Sequence, residues 1–110
     1  MFDIEVLNDL QQLLEDGFVE LIEVYLRDIN TKVPELERLT DAQDLDNLAK
    51  VAHSLKGASI NLGIGSFGEQ CGLIEQAARN QSTEDLSELV PQAVEQSIYI
   101  VKELTAMFLK

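Results

Sequence analysis

Apolar residues recur at three- and four-residue steps along nearly the whole chain, and no stretch alternates with a period of two. Residues three and four apart share one face of a helix, whereas a half-buried strand requires alternation. The chain is thereby confined to helices, and the breaks in the pattern count them. Leu7, Leu10 and Leu14 form one stripe, predicting a short helix over about residues 4 to 15 that Asp16-Gly17 interrupts. A second stripe (Phe18, Leu21, Ile22, Tyr25, Leu26, Ile29, Val33, Leu36) predicts a helix to about residue 40. Pro34 lies inside it without a backbone donor, so a kink is expected there. Asp44 is placed to cap a third helix carrying Leu48, Val51, Leu55 and Leu62, with Gly63 at its C-terminal end. Ser66-Phe67-Gly68-Glu69 reads as a capping box opening a fourth helix, to about Asn80. Ser82 or Thr83 then starts a long last helix with Leu86, Val90, Ala93, Ile100, Leu104 and Phe108, bent near its start by Pro91. Short connections between long amphipathic helices favour antiparallel neighbours. The expected fold is all-α: an antiparallel four-helix bundle preceded by a short N-terminal helix, one domain over residues 1–110.

Charge narrows the partners. Twenty acidic against eight basic side chains give a net charge of −12, which repels nucleic-acid phosphates and anionic lipid headgroups. Neither nucleic acid nor a membrane is expected as a partner, and no apolar run approaches the ~20 residues needed to span a bilayer. Cys71, the single cysteine, cannot form an internal disulfide, which fits a reducing cytoplasm. It shares a helical face with Phe67, Ile74 and Ala78, so it reads as a core residue. A cytoplasmic monomer is the expectation. One histidine and one cysteine are too few for the usual nitrogen and sulfur metal sites. Nor is there a glycine-rich nucleotide loop followed by lysine and serine or threonine, so no ATP site and no autonomous catalysis are expected.

The one histidine, His53, can be placed by its phase. With ~100° of rotation per residue and His53 as origin, Val51, Leu55, Leu62 and Leu48 fall between ~160° and ~220°. The imidazole therefore points away from the large apolar side chains. Around it the same rotation places Ala49, Lys56, Gly57, Ile60 and, if the helix reaches that far, Ile64, with Asp46 and Lys50 at the rim. A cation, a residue without a side chain and aliphatic surface flank one exposed ring. An exposed glycine inside a helix costs about 1 kcal/mol relative to alanine. Either an approaching molecule or a closely packed helix must justify Gly57. Gly68 and Gly72 form a smooth ridge where the third and fourth helices are expected to pack closely.

These residues carry a resemblance. The string Ala52-His53-Ser54-Leu55-Lys56-Gly57-Ala58-Ser59, continuing to Leu62-Gly63, resembles the signature of the histidine-phosphotransfer (HPt) domain family. Cys71-Gly72-Leu73-Ile74-Glu75 is similar to the segment that follows in that family. The resemblance extends over the whole chain in length and helix order, and residues 52 to 75 are its specific part.

The resemblance implies roles. His53 matches the phosphorylated histidine, which takes its phosphoryl group from a phospho-aspartate of a receiver domain and passes it to another. Lys56 matches the lysine that offers positive charge to the phosphate, and Gly57 the glycine that leaves space beside the ring. Glu75 falls where many members carry glutamine or glutamate able to hydrogen-bond the other ring nitrogen. A solvated helix charge is its plainer reading. Docking would rest on the aliphatic surface of Ala49, Ile60 and Ile64. The partners implied are receiver domains of hybrid histidine kinases and response regulators, which hold the Mg²⁺, so this chain needs no cofactor. The competing reading is a helical adaptor that binds through its acidic surface and uses no phosphate.

Overall fold

Helix ends set this architecture, because each leaves backbone groups that must find partners before the chain can turn. The computed structural model describes residues 2–109, which form five helices. They are α1 (Ile4–Leu14), α2 (Asp16–Asp41), α3 (Leu45–Asn61), α4 (Gly65–Arg79) and α5 (Thr83–Phe108). Three of the four corners share one solution. At the end of α3, Gly63 N–H donates to the Ile60 carbonyl (3.0 Å) and Ile64 N–H to the Ser59 carbonyl (2.9 Å). Gly63 itself adopts a φ of 75°. This is a Schellman turn with glycine in its left-handed position. The ends of α2 and α4 repeat the pattern with Gln43 (φ 55°) and Gln81 (φ 58°) in that position.

Such tight corners reverse the chain, so consecutive helices run antiparallel. α2 packs on α3, α3 on α4, α4 on α5, and α5 closes the ring against α2. At 1.5 Å per residue a 26-residue helix is about 39 Å long. Both α2 and α5 have that length, and they span the 42 Å long axis of the molecule. Phe18, Ile22, Leu36, Leu48, Leu55, Phe67, Ile74 and Ile100 fill the centre and are almost wholly excluded from water. Cys71 lies among them, its thiol pushed up to about 12 by burial. The buried hydroxyl pair Tyr25–Ser59 (2.7 Å) ties α2 to α3. Withdrawal from water raises the Tyr25 phenol, although the Ser59 bond opposes this.

α1 lies across one end of the bundle. Its cap residue Asp3 accepts from Val6 N–H and donates its own N–H to the Gly63 carbonyl at 2.7 Å. A β-carbon on Gly63 would sit 2.9 Å from that of Val6, so this glycine serves both the turn and the crossing. Leu7 is fully buried, while Leu10 is half-buried and Leu14 largely exposed. Phe18 meets Phe108 edge-to-face nearby, 4.9 Å between centroids.

Several expectations need correction. The break before α2 falls at Glu15 (φ 49°), and Asp16-Gly17 already belong to its first turn. α2 and α5 each run on as one helix through the exposed Pro34 and Pro91, as a proline kink allows. Ser66 is not a cap: α4 starts at Gly65 with Ile64 as its N-cap residue. The corner is so short that the Schellman turn delivers the chain directly into the next helix. Asp44 caps α3 as expected, accepting from Asn47 N–H.

Candidate functional site

The site is assembled where α3 and α4 lie closest. Gly68 and Gly72 make that approach possible. A β-carbon at Gly68 would stand 2.7 Å from Ile60 Cγ1, and one at Gly72 would stand 3.3 Å from Lys56 Cδ. With the helices antiparallel, the register runs Ile60 beside Gly68 and Lys56 beside Gly72, and His53 meets Glu75.

His53 sits mid-helix on the outer face, its side chain 67% exposed. Both carboxylate oxygens of Glu75 lie 3.1 Å from its Nδ1. Glu75 is itself tucked between the helices, with only 12% of its side chain accessible. From the next turn of α4, Arg79 donates to Glu75 Oε2 through Nε (3.2 Å) and Nη2 (2.9 Å). Lys56 Nζ stands 3.8 Å from Oε1, within ion-pair reach but beyond a hydrogen bond. Partial burial pushes the Glu75 carboxyl up. The hydrogen bonds from Arg79 and His53, and their charges, outweigh it and hold the group below its ordinary value.

An ionised carboxylate can only accept hydrogen bonds. The hydrogen shared with His53 therefore resides on Nδ1, an arrangement that in the neutral ring leaves the lone pair on Nε2. Gly57 leaves the neighbouring surface bare: apart from its chain neighbours and the backbone of its own helix, nothing lies within 4 Å of the position a β-carbon would take. On the α2 side, Lys32 donates to Ser54 Oγ (2.7 Å) and pairs with Asp28 (3.4 Å). The arrangement offers a nucleophilic nitrogen, a fixed counter-charge behind it and a cation beside it.

The structure brings His53, Lys56, Gly57 and Glu75 together, so Glu75 is a member of the site and not a solvated helix charge. The expected docking surface is corrected in two of its three residues. Ala49 is buried, because it lies on the stripe of α3 that the glycine ridge brings α4 to cover. Ile64 is fully buried, because the Schellman turn takes it off the α3 helix and folds it inward. Ile60 remains 49% exposed. Arg79 was not anticipated; its spacing of four residues from Glu75 was the available signal.

Comparison with known proteins agrees with this geometry. The chain is similar to the crystal structure of histidine-containing phosphotransfer protein B (HptB) from Pseudomonas aeruginosa PAO1. The TM-score is 0.86 at 30% identity, covering 94% of this chain and 89% of that one. It is also 26% identical over 91 residues to the phosphorelay intermediate protein rdeA of Dictyostelium discoideum. That match takes in 83% of this chain but spans only 36% of the relative's length. The family model of the Hpt domain matches residues 20–108, from within α2 to the end of α5. This chain belongs to the Hpt domain family.

Proposed function

We propose that this chain is a phosphorelay intermediate that carries a phosphoryl group on His53 Nε2 between aspartates of receiver domains. The observation that supports the reading most is the Nδ1 contact with Glu75, which leaves Nε2 as an exposed nucleophile. In the loading step the Nε2 lone pair attacks the phosphorus of an aspartyl phosphate. The P–N bond forms, the P–O bond to the aspartate breaks, and its electron pair leaves on the carboxylate. Nδ1 keeps its proton, so the loaded ring is cationic, and the Glu75 carboxylate opposes that charge. Unloading reverses the step onto a second aspartate. Lys56 stands ready to offer charge to the phosphoryl oxygens. The Mg²⁺ of the transfer is assigned to the receiver domain and none to this chain. Hybrid histidine kinases would supply the phosphoryl group and response regulators accept it. No helix among the described residues is long and apolar enough to cross a membrane, and we propose the cytoplasm as the place of the exchange.

Incubation with phosphorylated receiver domains tests the reading. The label should be acid-labile and alkali-stable, and His53→Gln should abolish it. That variant should still unfold cooperatively in a urea melt, losing no more than ~3 kcal/mol, the upper range for one hydrogen bond to a charged group. Mg-ATP alone should load nothing. Labelling retained in His53→Gln would overturn the assignment.

A further inference from the structure

We propose that Arg79 is a positioning residue of this site: by serving as the counter-ion of Glu75, it leaves Lys56 free to face the phosphoryl group. The inference rests on the phosphoryl-carrier reading and concerns how charge is divided within it. A glutamate carboxylate has about four acceptor positions. Here His53 Nδ1 approaches both oxygens at 3.1 Å, and Arg79 places two donors on Oε2. Oε2 thus carries three approaches and Oε1 one, so any room left is on Oε1, where Lys56 Nζ stands off at 3.8 Å without forming a hydrogen bond. The stem of Lys56 rests on Gly72, which holds the ammonium above the same carboxylate. Without Arg79, the nearest remaining lysine or arginine to this almost buried negative charge, among the described residues, is Lys56. It would close onto Glu75, and the incoming phosphoryl group would lose its cation. Arg79 lies in the last turn of α4, where a cation also complements the helix dipole. That role would not depend on the residue at position 75.

This dependence separates the two roles. Arg79→Ala should slow loading of His53 from a phosphorylated receiver by at least about tenfold, the effect of losing one charge-assisted hydrogen bond. Arg79→Lys should recover part of the rate. In a Glu75→Gln background, whatever that change does alone, adding Arg79→Ala should change the rate by less than about twofold. The neutral amide has no charge with which to capture Lys56. A second measurement needs no phosphoryl donor. The NMR order parameter of the Lys56 ammonium should rise in Arg79→Ala and stay unchanged when Glu75→Gln is added. Wild-type loading by no receiver at all would count against the carrier reading, and the Lys56 measurement would still decide the role of Arg79. Equal slowing by Arg79→Ala in both backgrounds, or an unaltered Lys56 ammonium, would overturn the proposal.

Discussion

At the scale of single residues, Gly57 and Glu75 show how much a side chain, or the lack of one, can decide. Open space lies where a β-carbon on Gly57 would go, so Gly57→Ala meets no steric objection and gains helix propensity. Thermal melts should show a stabilisation of ~0.5–1 kcal/mol. The added methyl group would crowd the approach to Nε2, so the same variant should transfer more slowly, and Gly57→Gln more slowly still. A less stable protein with unchanged transfer would contradict both halves. Glu75 makes a prediction about pH. Its native value lies below the ordinary 4.5, so the unfolded chain takes up this proton first as the pH falls. The stability it contributes is therefore complete above pH 4.5 and is lost as the pH drops through the depressed native value. Urea melts of wild type and Glu75→Gln should accordingly differ most near neutrality and converge in strong acid. His53, Lys56 and Gly57 were legible from phase and spacing, because all three sit on one helix. The partnership of Glu75 was legible only through the family resemblance, because it depends on the rotation of α4 against α3, which no single-helix pattern contains.

At the scale of helices, the apolar stripes located all five elements to within a residue or two. They failed where small side chains do the packing. Large residues on α3 centre near Leu55, but Ala49, Ala52 and Ser59 are buried as well and widen the covered arc toward α4. An alanine carries little weight in a hydrophobic pattern, yet it is what lets two backbones approach. Corner chemistry was half legible. Gly63 announced its turn, whereas Gln43 and Gln81 occupy the same left-handed conformation with no composition signal. A left-handed residue with a β-carbon costs roughly 1–2 kcal/mol. Part of that is returned by the unfolded chain when glycine replaces it. Gln43→Gly and Gln81→Gly should each stabilise the protein by about 0.5–1 kcal/mol in urea denaturation, and the two effects should add. A destabilised Gln81→Gly would mean that the glutamine side chain makes a contribution beyond its backbone shape.

At the scale of the whole molecule, the site is one face of an elongated bundle. A radius of gyration of 14.2 Å slightly exceeds the ~13 Å of a rounder chain of this length. The elongation follows from the two long helices, and it leaves a broad flank for a partner. Of the aliphatic residues expected to meet that partner, Ile60 alone is exposed, and its Cγ1 also packs over Gly68. Ile60→Asp should weaken receiver binding by more than ~1 kcal/mol in titration calorimetry. Melting curves of the same variant would show how much of the loss is packing between α3 and α4. Equal affinity would move the landing surface elsewhere on the flank. The placing of a single reactive ring in the middle of α3 has one more consequence. On the carrier reading, donor and acceptor must land on the same spot, so they take turns and can never be aboard together. Traffic through such a turnstile is limited by how quickly each visitor lets go, and a tighter grip on either one would slow both.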